Sequence, residues 1–260
     1  VKFKASRLLA MAAGLVATGF ACGPLETPVE NARQAGEPSW QLDSNAAAAE
    51  QALVSGVLGG FRAAVADFLW LQVFGCSAEH DLPATESLLH LVTVVDPRPL
   101  YFWLNAARIT ACDMPVWRIE SAGGCERLPR IAQERIERDQ AERALALLDE
   151  AEKFHPASSA LWIERANIEL NRLHDPAAAA ECYRRAWAQP GAPFYAARLH
   201  AELLRRLGRK AEALAWLVKL HPQLPAKNEA AGAALVLARI RALERELEVP
   251  ELKRYRPTCR

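Results

Sequence analysis

Apolar residues in this chain recur every three or four positions, in run after run. Trp162, Ala166, Leu170 and Leu173 form one such stripe. That period places side chains on one face of an α-helix. Strand-like alternation never lasts more than a few residues. "LLHLVTVVD" is the one β-leaning run, and helical neighbours flank it. The punctuation agrees. Asp175 followed by Pro176 predicts a helix start, and Pro156, Pro190 and Pro225 each follow a run that must stop. Gly208 falls between two helical runs, where a turn is needed. The expected fold class is all-α.

A longer period lies over the short one. Ala144, Leu148, Ala151 and Pro156 share their spacing with Ala179, Tyr183, Ala186 and Gly191, and again with Ala213, Leu217, Leu220 and Pro225. The intervals are 35 and 34 residues. Leu170 and Leu204 also lie 34 apart. Further upstream, Pro97, Trp103, Ala107 and Ile109 match Pro156, Trp162, Ala166 and Ile168, each pair 59 apart. That distance is no multiple of 34, so a non-repeat insertion is expected at about 113–140. Its opposite charges alternate, as in Glu126 with Arg130 and Glu134 with Arg138. They predict a solvated helix start that runs into the apolar stretch near Leu145. A fixed period of this size is the mark of stacked helical hairpins. A small residue lets two helices cross closely, and a large residue from a neighbour fills the next layer.

These spacings resemble the tetratricopeptide repeat over residues 83–225. The usual glycine of the first helix is replaced by Ala166 and Ala201. "GGFRAAVADFLWLQ" and "ALLDEAEKFHPASSALWIE" also resemble segments of bacterial envelope tetratricopeptide-like proteins, extending the likeness to residues 57–220. It departs at "MPVWRIESAGGCERLPR", so no partner of that region carries over. The resemblance implies a helical-hairpin repeat array (a TPR-like α-solenoid) and an envelope location rather than an activity.

The stretch 57–75 is almost wholly apolar but holds Arg62 and Asp67. Both would be costly in hydrocarbon. A buried helix from Phe61 to about Cys76 is the expectation, starting at Gly59 and Gly60 and covered on most sides. Trp70, Trp103 and Trp162 are read as structural, as are Arg62 and Asp67, with Arg108 offered as the partner of Asp67.

The N-terminal region adds location. Lys2, Lys4 and Arg7 precede an uncharged run from Leu8 to Leu25. A cleaved signal peptide, an uncleaved anchor and a lipoprotein with Cys22 as the lipidated residue all fit. Each exports the chain, to the periplasm or to a membrane-anchored position. The expected organisation is 1–25 signal or anchor, 26–46 tether, 47–248 helical repeat domain and 249–260 tail. In an oxidising compartment Cys112 and Cys125 are candidates for a disulfide across a short loop.

Chemistry is sparse. The 32 basic and 31 acidic residues nearly cancel, and no basic stripe with interleaved aromatics forms, so nucleic acid is not an expected partner. There is no CxxC, HExxH, GxSxG or phosphate loop. The reading is therefore no enzyme, no cofactor and no metal, but a scaffold that binds another envelope protein or peptide, with the membrane reached through the N-terminus. The alternative is a small-molecule or lipid-binding helical domain. With Ala107, Ala166 and Ala201 as equivalent crossing points, the groove-facing positions are Tyr101, Leu104, Arg108, Ile163, Asn167, Tyr195, Arg198, Glu202 and Arg205.

Overall fold

The computed structural model describes residues 61–225 and 228–257. Gly59, Gly60, Cys22 and the segments expected to be a signal or anchor and a tether lie outside them. The described residues form helices joined by turns, with no strand among them. The chain divides into two compact units, Val1–Phe102 and Trp103–Arg260.

In the first unit, α1 (Arg62–Ala78) packs against α2 (Leu82–Val95). Asp81 caps α2 by accepting the Ala84 N–H at 3.1 Å. The β-leaning run lies inside α2. Leu89, Val92 and Val95 are buried there, and tertiary packing outweighs the weak strand preference of β-branched residues. Only Ala66, Trp70 and Val73 of α1 are buried, so the described residues do not give the expected cover on most sides. Phe68, Leu71 and Phe74 are 61%, 63% and 54% exposed. Packing of two helices buries one stripe of each, and among the described residues the remainder of α1's apolar surface has no second layer against it. Trp70 does act as a core residue: it meets Phe74, Tyr101 and Phe102 at ring centroid distances of 5.8, 5.5 and 5.4 Å. Asp67 is exposed on the same helix.

The unit boundary falls within α3 (Leu100–Arg108), which continues through a π turn (Ile109–Asp113) into α4 (Met114–Ser121). Pro115 explains the turn. It has no N–H for the Ala111 carbonyl, and its ring crowds that oxygen. The helix widens instead, and the Met114 N–H reaches the Ile109 carbonyl five residues back.

α5 (Arg130–Phe154) is one helix of 25 residues. Its buried positions begin only at Gln140, as the charged insertion predicts. Cys112 and Cys125 are both free thiols, so the expected disulfide is not formed. Hydrogen bonds close that loop instead. Gly124 N–H donates to the Ile119 carbonyl at 2.9 Å, and Gln133 Nε2 donates to the carbonyls of Cys125 and Leu128 at 2.9 and 2.7 Å.

The helices α6 (Ser159–Asn171), α7 (Pro176–Trp187), α8 (Phe194–Arg206), α9 (Lys210–Leu220) and α10 (Ala233–Glu246) complete the second unit. From α5 onward each packs on the next in chain order. Asp175 caps α7 with two bonds of 2.9 Å. Gly208 makes the α8–α9 turn at φ +78°, a conformation open to residues without a Cβ. The small and large apolar residues at the long period are buried: Ala144, Leu148 and Ala151 in α5, Ala179, Tyr183 and Ala186 in α7, Ala213, Leu217 and Leu220 in α9, all at most 3% exposed. Ala107, Ala166 and Ala201 are equally enclosed. Trp103 is buried and stacks on Phe154 at 5.9 Å. Trp162 lies beneath two guanidiniums, Arg165 at 5.0 Å and Arg185 at 4.8 Å. The C-terminal run is tied down. Tyr255 N–H bonds Glu244 Oε1 at 2.5 Å, and the Tyr255 hydroxyl meets His221 Nδ1 at 3.0 Å.

Candidate functional site

The groove positions read from the sequence do not all reach one place. Tyr101 belongs to the first unit, where it packs edge-on against Trp70. Arg108 is held inside the second unit. Its Nε and Nη2 donate to Glu164 Oε2 at 3.0 and 2.7 Å, so Glu164 fills the role that the sequence suggested for Asp67. Burial of Glu164 to 5% exposure makes that pair structural. Asn167 is also engaged, its Oδ1 accepting the Tyr183 hydroxyl at 2.8 Å. Ile163 packs against the α6–α7–α8 core.

Tyr195, Arg198 and Glu202 do come together. All three project from α8 into a cleft of about 390 Å³ shared with α10. Leu199, Leu217, Leu235 and Val236 supply its apolar lining, and Arg239 stands at its edge. Leu235 is 61% exposed and Tyr195 44%.

One end of the cleft is fixed by backbone chemistry. Arg198 Nη1 donates to the carbonyls of Ala230 and Ala231 at 2.9 and 2.8 Å. Gly232 comes next at φ +63° and begins α10. A Cβ there would stand 3.0 Å from Arg198 Nη1, so both the conformation and the contact favour glycine.

The charges are uneven. Glu202 Oε1 accepts from Arg205 Nη2 at 2.7 Å and Arg206 Nε at 3.2 Å, and Oε2 accepts from Arg205 Nε at 3.0 Å. Those bonds, Arg205's first, hold the carboxyl at about 2 against the opposing effect of burial. Arg239 approaches Glu202 only to 3.5 Å and makes no hydrogen bond among the described residues. Arg205 therefore sits on the rim, as Glu202's clamp.

A second hollow, about 400 Å³, opens on another side of α8 and includes Glu181, Arg184, His200, Arg209, Glu212 and Trp216. Four of its charges form two pairs, Arg184 with Glu181 at 2.6 Å and Arg209 with Glu212 at 2.6 Å, and Lys219 also lines it. His200 Nδ1 lies 2.7 Å from the Ala180 carbonyl, which can only accept, so this nitrogen carries the proton. Burial pushes the His200 pKa down, so the ring favours its neutral form. The α8–α10 cleft is the stronger candidate, because it sets open apolar surface, Leu235 and Tyr195, beside the guanidiniums of Arg198 and Arg239.

The repeat register missed Leu235 and Arg239 because it stops at Pro225. The helical spacing of Val236, Ile240 and Leu243, all buried, was the signal that could have added α10. Among the described residues no group of three or more His, Cys, Asp or Glu side chains could hold a metal ion, and no helix is long and apolar enough to cross a membrane. Compared with known proteins, the chain matches no family model, no curated protein and no solved structure.

Proposed function

We propose that this chain is a non-enzymatic protein–protein interaction module, a tetratricopeptide-like helical repeat array tethered in a cell envelope. The repeat reading is supported by helices that pack in chain order and by buried small residues at intervals of 34 and 35. The envelope location rests on the N-terminal sequence. The observation that carries the binding role is the α8–α10 cleft. Three sequence-derived groove residues meet there beside a largely exposed leucine. An apolar floor with a charged rim is the anatomy of a protein-binding patch.

A small apolar molecule is the second reading, favoured by the floor of Leu199, Leu217, Leu235 and Val236. Photo-crosslinking in native cells separates the two. A photoreactive residue replaces Tyr195 or Leu235, with Ile131 of α5, 81% exposed, as the control. Protein-sized adducts at the cleft positions and not at Ile131 are the expected result. Their absence at both cleft positions would overturn the interaction role.

A further inference from the structure

The cleft also indicates what its occupant carries. Three guanidiniums, those of Arg205, Arg206 and Arg239, approach one carboxylate, Glu202, and a fourth, Arg198, lines the same cleft. Both oxygens of Glu202 are already taken by Arg205 and Arg206. Of the two carboxylates on α10, Glu244 accepts from Arg241 Nη1 at 2.8 Å and Glu246 is held by Lys210 at 3.0 Å. Arg239 thus remains 46% exposed, with a charge neighbour but no hydrogen-bonded acceptor among the described residues. Arg198 uses Nη1 on two carbonyls, and its other N–H groups have no hydrogen-bond partner among the described residues. Between these two arginines lies apolar surface, with Leu235 on α10 and Tyr195 on α8 more than two-fifths exposed.

We infer that the cleft binds a peptide segment of another protein in which a large apolar side chain lies next to one or more carboxylates. The inference rests on the interaction role proposed above and names the partner's chemistry. The apolar side chain covers Leu199, Leu217 and Leu235, and the carboxylate accepts from Arg239 and Arg198. Guanidinium–carboxylate bonds are the strong, directional kind, and the described residues offer these two arginines no free acceptor. The chain's own C-terminal run does not fit this chemistry: it holds Lys253, Arg254 and Arg256 and is tied to Glu244 and His221 through Tyr255.

The test is selection from a random displayed-peptide library against the full chain, with affinity measurement on the selected peptides. Sequences pairing Asp or Glu with Leu, Ile or Phe are expected. Their affinity for an Arg239→Glu variant should fall about tenfold or more, the size of one charged hydrogen bond, and weaken with added salt. Peptides with Lys in place of the acid should regain binding to that variant. Helix content and melting temperature confirm that the variant is folded. If selected peptides need Leu235, as read from Leu235→Asp, yet ignore Arg239 and carry no acid, the acidic chemistry is wrong while the groove stands. If binding is indifferent to both substitutions, or no peptide is selected, this inference and the groove reading fall together.

Discussion

Replacing Arg108 should cost far more stability than replacing its partner Glu164 by an apolar residue. The two ends of this ion pair sit in different surroundings. Glu164 has only 6% of its side chain exposed, whereas Arg108 has 54%. Both Arg108 bonds, at 3.0 and 2.7 Å, land on one carboxylate oxygen. Arg108→Met leaves a carboxylate in the α6 core without its cation. Breaking a buried pair in this way costs about 3–5 kcal/mol, and Arg108's half-solvated position argues for a smaller loss, about 2–3 kcal/mol. Glu164→Leu instead releases a guanidinium that is already half in water, so about 1 kcal/mol or less is expected. In the double variant the charge is gone from both sides, and the loss should be well below the sum of the singles. Urea unfolding monitored by helical circular dichroism on all four proteins measures the cycle. Equal losses in the two single variants, or a strictly additive double, would refute the assignment of the cost to the buried end.

Packing and charge elsewhere in the second unit set three further outcomes. Ala166→Leu puts extra volume at a fully buried position in the α6–α7–α8 core and should cost about 1–3 kcal/mol; a variant as stable as the parent in a thermal melt would contradict close helix crossing there. The Glu202 carboxyl is lowered from 4.5 to about 2, chiefly by Arg205, so its contribution is complete above pH 4.5 and is lost as pH falls toward 2. At low salt, Glu202→Gln should therefore flatten the decline of melting temperature across that window, modestly because the group is partly solvated, and an unchanged profile would count against the clamp. Exposed Cys125 should react with maleimide first and Cys182, whose thiol burial pushes up to about 11, last; mass spectrometry that finds the reverse order would contradict these environments.

The sequence made the apolar framework legible because close helix crossing demands small side chains at fixed intervals. Ala144, Ala179 and Ala213 are all enclosed for that reason. Polar assignments fared differently. Arg108, Asn167 and Arg198 all stood on the expected groove, but their partners lie 56, 16 and 32 to 33 residues away. Such distances carry no local periodicity. Whether a guanidinium faces a ligand or a neighbouring carbonyl depends on which helices the fold brings beside it. The first helix failed in the opposite sense. Apolar content predicted cover for α1, but the number of neighbours available to bury it, which decides exposure of Phe68 and Leu71, is not written in that segment.

The π turn at Ile109–Asp113 makes this helix a place where the winding of one turn sets the direction of everything after it. Trp103, Ala107, Thr110, Met114 and Trp117 are spaced in sequence as one continuous stripe. The extra residue in the wide turn rotates α4 by about 100° relative to α3, one α-helical step, so the two halves aim their side chains differently. Straightening the turn with no residue removed, as Pro115→Ala favours, would advance every side chain from Met114 to Ser121 by that one step together, with no change in its chemical character. Removing one residue as well would take out the extra step, so α4 would keep its present aim. The turn thus acts as a phase setting between two stretches of one rod, and the aim of the α4 surface holds only while the extra residue and the wide turn are kept or lost together.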